Sequence, residues 1–487
     1  MSRKAMTAPT STKYETRLFI NGEFSAASDG GTFPLNSPLT RETVALVSEA
    51  TVKDTNRAVA AAKAASLAWA GLSVHERGAY MNNLASLIAE SEKELASLEA
   101  VSMGRPISGY WDAKAAVKKL QYFATAGWNG QGRTSLNTPG FVNLTLRQPF
   151  GVVAAIIPWN VPVYVFINKI APAIAAGNTV VLKSSEKAPL TSAKLAGLIQ
   201  KAGFPPGVIN VLSGHGHISG ATLASHMDVR LITFTGSGRT GRLIREAATK
   251  SNMKNVVLEL GGKTPAVIFD DADLERAAKE TFHSIQWNSG QACMANSRVY
   301  VHASVTERFL ALFKECAKDV RLGDPLNPEV NHGPQADIAQ YDIVKKYFEM
   351  GNQDGKLVLG GVPEDTAGYF IQPTIFVETP ESARIMRDEV FGPIVNINIF
   401  TDEDEVIRMA NDTEFGLYSA IYTRDIDRAM RFARASEAGT VAINCTSPTG
   451  AFDLPFGGYK ASGIAREGIH DSLDNYLETK TVIIRTG

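Results

Sequence analysis

The chain has 487 residues, 44% hydrophobic and 20% charged, with 49 basic against 50 acidic side chains. That length calls for more than one core, and the ordinary composition excludes a disordered, collagen-like or small disulfide-stapled protein. A formal net charge of -1 gives no field that would draw the chain to nucleic acid or to an anionic membrane, so a small-molecule partner is the simpler expectation.

The first dozen residues, rich in Ser, Thr, Ala and Pro, predict a loose arm without the apolar stretch of a signal peptide. No apolar run approaches the roughly 20 residues of a membrane span. FINGEF, from Phe19 to Phe24, predicts a hairpin turned at Asn21-Gly22. From Val52 to about Glu99 apolar residues recur at helical spacing (Val59, Ala62 and Trp69, then Leu84, Ile88 and Leu95), which predicts two or three helices; another is expected over Tyr110 to Thr125. Thr138 to Pro149 alternates Val142, Leu144 and Leu146 with polar residues, as an exposed strand does.

A βαβ rhythm follows. The apolar runs Val152 to Ile157, Thr179 to Leu182, Val208 to Leu212 and Leu231 to Phe234 alternate with helical segments, the last over Arg239 to Thr249. Such runs predict a parallel sheet covered on both faces, which binds ligands at the carboxyl ends of its strands. A second alternating series begins at Pro265 to Asp270 and includes Ser297 to His302 and Thr374 to Glu378. Two α/β domains meeting near Gly261-Gly262 are therefore expected. The tail from Thr479 to Thr486 is a second surface β segment, and two such edges invite pairing with another subunit. The cysteines, Cys293, Cys316 and Cys445, form no CxxC pair. Neither a zinc site nor a disulfide framework is expected, and a reducing, cytoplasmic setting is.

Three places carry chemistry. Gly236-Ser237-Gly238-Arg239-Thr240-Gly241 spells G-x-G-x-x-G between a strand and a helix, where backbone amides can hold a pyrophosphate; a glycine-rich turn without a ligand would look the same. Cys293 ends a stretch of small residues, Asn288 to Ala292, rather than sitting in an apolar run as an inert cysteine more often does. Asn160 follows a strand and lies between Pro158 and Pro162, a setting that either aims its amide at a ligand or simply caps a turn. Glu259 ends another strand, before two glycines that allow close approach of a backbone or ligand.

Taken in order, PWN (158–160), KSSE (183–186), FTGSGRTG (234–241), ELGG (259–262), GQAC (290–293), EVFGP (389–393) and PFGGYKASG (455–463) resemble the aldehyde dehydrogenase superfamily over nearly the whole chain. The resemblance implies an α/β fold with two Rossmann-like parallel-sheet domains and a small β segment for oligomerisation. Residues 1–130 and 150–260 would form the dinucleotide-binding domain and 261–465 the catalytic domain. Residues 131–149 and 466–487 would join the subunits of a homodimer or homotetramer. It also implies Cys293 as nucleophile, Glu259 as general base for hydrolysis of a thioester, and an oxyanion hole made by the Asn160 amide and the Cys293 backbone N–H. Lys169 and Glu467 match a pair used in proton transfer. For the cofactor it implies Ser237 at the pyrophosphate, Lys183 and Glu186 at the adenosine ribose, and Glu389 at the nicotinamide ribose with Phe391 nearby; Ile157, Trp159 and Gly236 complete the set. NAD is expected over NADP, since Glu186 would repel a 2′-phosphate that Lys183 alone would attract.

By the same resemblance Val161, Tyr164, Val165 and Asn168 line an aldehyde tunnel from one side, and Trp287, Ala292, Met294 and Phe456 from the other. With no Arg or Lys among them, a neutral aliphatic or aromatic aldehyde is expected over a carboxylated one. Asn168 stands where several relatives carry an aromatic residue, and either recognises a substrate hydroxyl, widens the tunnel, or bonds the backbone. Two alternatives remain: a cysteine hydrolase with His283 or His215 as base, and a non-catalytic structural protein on the same scaffold.

Overall fold

The computed structural model describes residues 13–363 and 367–486; the arm expected over the first dozen residues lies outside them. Two antiparallel hairpins open the described chain. The first joins β1 (Leu18–Ile20) to β2 (Glu23–Ser25) through Asn21 and Gly22, both at positive φ, as the Asn-Gly signal predicts. The second joins β3 (Thr32–Asn36) to β4 (Thr43–Ser48). Four helices follow: α1 (Val52–Gly71), α2 (Val74–Glu90), α3 (Glu92–Met103) and α4 (Asp112–Ala126). The first two start with capping boxes, Thr51 with Asp54 and Ser73 with Glu76, which satisfy the free N–H groups of the first turn. Their apolar stripes, Trp69, Leu84 and Ile88 among them, are buried.

After a short strand, β5 (Thr134–Ser135), and a long one, β6 (Phe141–Pro149), the βαβ series runs β7 (Val152–Ile156), α5 (Pro162–Ala175), β8 (Thr179–Lys183), α6 (Pro189–Lys201), β9 (Ile209–Leu212), α7 (Ala221–Ser225), β10 (Leu231–Thr235), α8 (Gly238–Lys250) and β11 (Asn255–Glu259). The second series holds β12 (Pro265–Ile268), α9 (Leu274–Gln286), β13 (Arg298–His302), β14 (Lys356–Gly361), β15 (Gln372–Val377), β16 (Ile394–Phe400), β17 (Tyr418–Tyr422) and β18 (Thr440–Ile443); β19 (Gly463–Ile464) and β20 (Leu477–Arg485) end the chain.

The first sheet has the order β19-β11-β10-β7-β8-β9-β1-β2, parallel from β11 to β9 with antiparallel strands at both edges. Every residue of β7 and β8 is buried, because helices cover both faces. The register sets Thr235 beside Glu259 and Ile156 beside Lys183, so these strands end on one rim. The second sheet, β14-β15-β16-β13-β12-β17-β18, is parallel apart from β14. The chain passes between the sheets through Leu260–Thr264, where the paired glycines lie.

One expectation is corrected. The two surface β segments are not separate free edges: β6 and β20 pair with each other along their whole length, Phe141 opposite Arg485 and Pro149 opposite Leu477, with β5 on the far side of β6. Each alternating strand satisfies the other's backbone groups, and one edge of β20 is left open within the described residues. No described helix is long and apolar enough to cross a membrane.

Candidate active site

The loop that carries Cys293 leaves α9 through three left-handed residues in succession, Asn288, Ser289 and Gly290 (φ 49°, 55° and 74°). Side chains rather than regular structure hold it. Ser289 Oγ donates to the Gly333 carbonyl at 2.7 Å, and Gln335 Nε2 returns a bond to the Ser289 carbonyl at 3.1 Å. The Ala336 N–H donates to Gln291 Oε1 at 2.9 Å. Gly290 is required, since a Cβ there would lie 2.1 Å from the Gly392 carbonyl carbon. Cys293 emerges partly exposed at the junction of the two sheets, and burial, then the Glu389 and Glu259 carboxylates, push its thiol up to about 12. It is a thiol at neutral pH and needs a base.

Asn160 comes to this loop from the end of β7. Its Nδ2 donates to the Gln291 carbonyl at 3.0 Å, while Asn288 Nδ2 donates to the Asn160 carbonyl at 3.0 Å. The amide thus lies against the backbone two residues before the thiol. Gly261 and Gly262 explain their own presence. A Cβ on Gly261 would fall 2.0 Å from Glu389 Oε2, and one on Gly262 would fall 2.4 Å from the Cys293 carbonyl oxygen.

Glu259 stands at the end of β11, 4% exposed, and neither of its carboxyl oxygens has a hydrogen-bond partner. Burial first, then the charge of Glu467, push its carboxyl well above the usual range, with Lys169 and Arg466 opposing. Behind it Lys169 and Glu467 form a buried ion pair. Glu467 is strapped to Phe456 by a pair of backbone bonds. Its second carboxyl oxygen accepts from Asn168 Nδ2 at 2.5 Å, and Asn168 Oδ1 in turn accepts from Lys119 Nζ. Asn168 therefore bonds side chains, not the backbone.

On the other side of the thiol, Ser237 is exposed and caps the N-terminus of α8 through the Thr240 N–H. Lys183 Nζ lies 3.8 Å from Glu186 Oε2 at the end of β8. Glu389 accepts the Gly262 N–H at 3.0 Å, and burial pushes its carboxyl up to about 7. Trp159 and Phe391 meet edge to face at 5.3 Å, next to the Ile157 strand end. Acceptors for ribose hydroxyls, N–H donors at a helix start and flat apolar faces are thus disposed around the rim, a donor set that fits a dinucleotide.

Of the residues expected to line a tunnel, Val161 at the N-cap of α5 shares a face with Tyr164, Val165 and Asn168, while Ala292 lies in the second core with Trp287, Met294 and Phe456 packed against it. Two residues there were missed in the sequence. Trp111 packs 5.1 Å from the Tyr164 ring and 6.5 Å from that of Trp287. Lys119, buried at 4% exposure, points its ammonium at the Tyr164 ring, 5.1 Å from its centre. The eight expected lining residues carry no Arg or Lys of their own, but Lys119 reaches two of them, Tyr164 and Asn168, from α4. The signal was available: Asp112, Ala116, Lys119 and Phe123 fall on one stripe of α4. As for a cysteine hydrolase, His215 is bonded to Glu49 at 2.7 Å and His283 is exposed on α9; neither reaches Cys293 by a hydrogen bond among the described residues.

Known proteins match the chain over nearly its whole length. A family model described as the aldehyde dehydrogenase family matches residues 24–482. Aldehyde dehydrogenase 1A1 of Oryctolagus cuniculus is 42% identical over 478 residues, 96% of each chain. An aldehyde dehydrogenase of Davidiella tassiana is 43% identical over 100% of this chain and 99% of its own. Among solved structures, the indole-3-acetaldehyde dehydrogenase AldA of P. syringae, a mutant in complex with NAD+ and IAA, matches with a TM-score of 0.94 at 38% identity, covering 97% of both chains. On sequence and fold alike, the chain belongs to the aldehyde dehydrogenase family.

Proposed function

We propose that the protein oxidises an aldehyde to the carboxylic acid with NAD, through a covalent intermediate on Cys293 that water hydrolyses with Glu259 as base. The observation that supports this most directly is the convergence of a thiol, an amide from the end of β7 that donates to the thiol's loop, and a buried carboxyl with two unpartnered oxygens. Sγ bonds to the aldehyde carbon, and the carbonyl π pair moves onto oxygen. Asn160 Nδ2 and the Cys293 backbone N–H hold that oxyanion. The Sγ proton passes to water as the bond forms, so that Glu259 stays free for the hydrolytic step. Bound NAD supplies the acceptor for the hydride that leaves the same carbon, so that a thioester remains on Cys293. Glu259 then takes a proton from water as its oxygen attacks the thioester; the C–S bond breaks, the acid leaves, and Sγ regains its proton. Lys169 and Glu467 carry the surplus proton away from Glu259.

Ser237 and the start of α8 hold the pyrophosphate, Lys183 and Glu186 the adenosine ribose, and Glu389 the nicotinamide ribose. Glu186 disfavours a 2′-phosphate and so NADP. Residues 1–130 with 150–260, and 261–465, form the cofactor and catalytic domains. Residues 131–149 with 466–487 carry subunit contacts, supported by Ile483 and Ile484, exposed on β20. The apolar wall of the tunnel favours an aldehyde with an aliphatic or aromatic body. Three unpaired cysteines suit a reducing cytoplasm.

Two variants test the chemistry. Cys293→Ala is expected to lose NAD-dependent aldehyde oxidation while still binding NAD. Glu259→Gln is expected to release a burst of NADH equal to one turnover and then stall. Oxidation by Cys293→Ala at a comparable rate would overturn the mechanism, and loss of the burst in Glu259→Gln would move Glu259 into acylation alone.

A further inference from the structure

Helix α4 turns one cation inward, against α5. Lys119 is 4% exposed, and its ammonium donates to Asn168 Oδ1 with the Tyr164 ring below it at 5.1 Å. An ammonium carries three N–H donors. Asn168 is its only acceptor within hydrogen-bond reach among the described residues. Burying a cation with donors unfilled is costly, and burial pushes this amine down to about 8, with Glu467 opposing.

No neighbouring carboxylate fills those donors. Both oxygens of Glu467 are engaged, one by Lys169 and one by Asn168 Nδ2. Glu259 offers Lys119 no acceptor, since neither of its carboxyl oxygens has a hydrogen-bond partner. Asp112, on the Lys119 stripe of α4, is spent on Arg105 at 2.8 Å. Lys119 therefore has no carboxylate partner within ion-pair distance among the described residues. These unfilled donors lie beside the residues expected to line the aldehyde tunnel, because Tyr164 and Asn168, the two groups Lys119 touches, occupy the same face of α5 as Val161 and Val165. An aromatic side chain at position 168 would fill this space and offer the ammonium no acceptor.

We propose that Lys119 is a specificity-determining residue, whose free N–H groups receive a carboxylate carried on the tail of the aldehyde while Trp111 and Tyr164 pack against its apolar body. This rests on the aldehyde-oxidising reading above and adds the class of aldehyde: an aliphatic or aromatic semialdehyde of a dicarboxylic acid. A carboxylate there accepts charge-assisted bonds from the unfilled N–H groups.

Matched pairs of substrate test it: 4-carboxybenzaldehyde against 4-methylbenzaldehyde, and succinic semialdehyde against butanal. The readout is the ratio of kcat/KM, acid over neutral. The wild-type ratio is expected to favour the acid by about tenfold or more, and Lys119→Met to lower that ratio about tenfold, mainly through KM, with Lys119→Arg retaining part of it. A wild-type ratio at or below one overturns the proposal. So does a Lys119→Met enzyme in which both members fall equally, for then Lys119 only braces Asn168. Calorimetric binding of 4-(hydroxymethyl)benzoate against 4-methylbenzyl alcohol to the wild-type protein reads the same preference without turnover or a variant, and equal affinity overturns it. Absence of oxidation with every aldehyde would instead sink the functional reading, leaving the binding preference to decide for or against Lys119.

Discussion

Replacing Asn160 by Ala isolates the oxyanion donor from the rest of the site. In the unliganded protein Asn160 Nδ2 donates to the Gln291 carbonyl at 3.0 Å, a neutral bond worth about 1 kcal/mol net. When the aldehyde oxygen becomes an anion that donor exchanges a neutral partner for a charged one in a buried site, and such bonds are roughly twice as strong. Losing one of two oxyanion donors should therefore cost about 2–3 kcal/mol of transition-state binding, roughly 30- to 160-fold in rate. The fold should tolerate the change. Gln291's carbonyl keeps Asn288 Nδ2 at 3.3 Å, and the loop keeps its bonds from Ala336 and Ser289. Stopped-flow measurement of the NADH burst reports acylation directly, with KM and Tm as checks. The expected result is a burst slowed by that factor with KM little changed and Tm within about 2 °C of wild type. A burst slowed less than threefold would refute the oxyanion assignment, since the amide would then serve only to hold the turn.

Removal of the Glu389 charge should free the thiol. Glu389 is the foremost charge raising Cys293, so Glu389→Gln is expected to lower the thiol's pKa and raise its iodoacetamide alkylation rate severalfold at pH 8–9 in the absence of cofactor; site-resolved mass spectrometry separates Cys293 from Cys316 and Cys445, and an unchanged rate would show that burial alone sets the shift. Gly290→Ala forces a Cβ into backbone 2.1 Å away at φ 74°, whereas Gly140→Ala, at φ 79° with nothing within 4 Å, bears only the backbone strain. The first is expected to cost more than about 3 kcal/mol and the second about 1 kcal/mol, read as Tm; equal losses would mean that the Cys293 loop yields freely.

Much of this was legible in the chain. The fully apolar runs that became β7 and β8 could only be strands covered on both faces, and the residues at their carboxyl ends, Asn160 and Lys183, sit on the rim where a parallel sheet binds ligands. Glu259 and Cys293 were marked by glycines, and the glycines turned out to mark close approaches of backbone and carboxylate. What was not legible shares a physical cause. An alternating strand states which face is wet but not its partner, so the pairing of β6 with β20 could not be read from either. The edge strand β19, two residues long, has no period at all. Lys119 was passed over because a charged residue on a helix is assigned to solvent, although its position on the stripe of Ala116 and Phe123 contradicts that assignment.

The position of Asn168 shows why Lys119 and its neighbour must be understood together. A lysine buried on α4 without an acceptor would be held neutral or expelled, and an asparagine on α5 without a donor for Oδ1 would leave a buried carbonyl unsatisfied. Each supplies what the other lacks, and the amide's far side is then fixed on Glu467. Because Glu467 also holds Lys169 and its charge raises the Glu259 carboxyl, the residues proposed to meet the substrate's tail are joined by two hydrogen bonds to those proposed to serve its hydrolysis. A carboxylate bound at Lys119 would draw the ammonium toward itself and weaken its grip on Asn168 Oδ1. That releases part of the electron demand on the amide, lowers its strength as a donor to Glu467, and leaves Glu467 the better acceptor for the proton that Glu259 must shed.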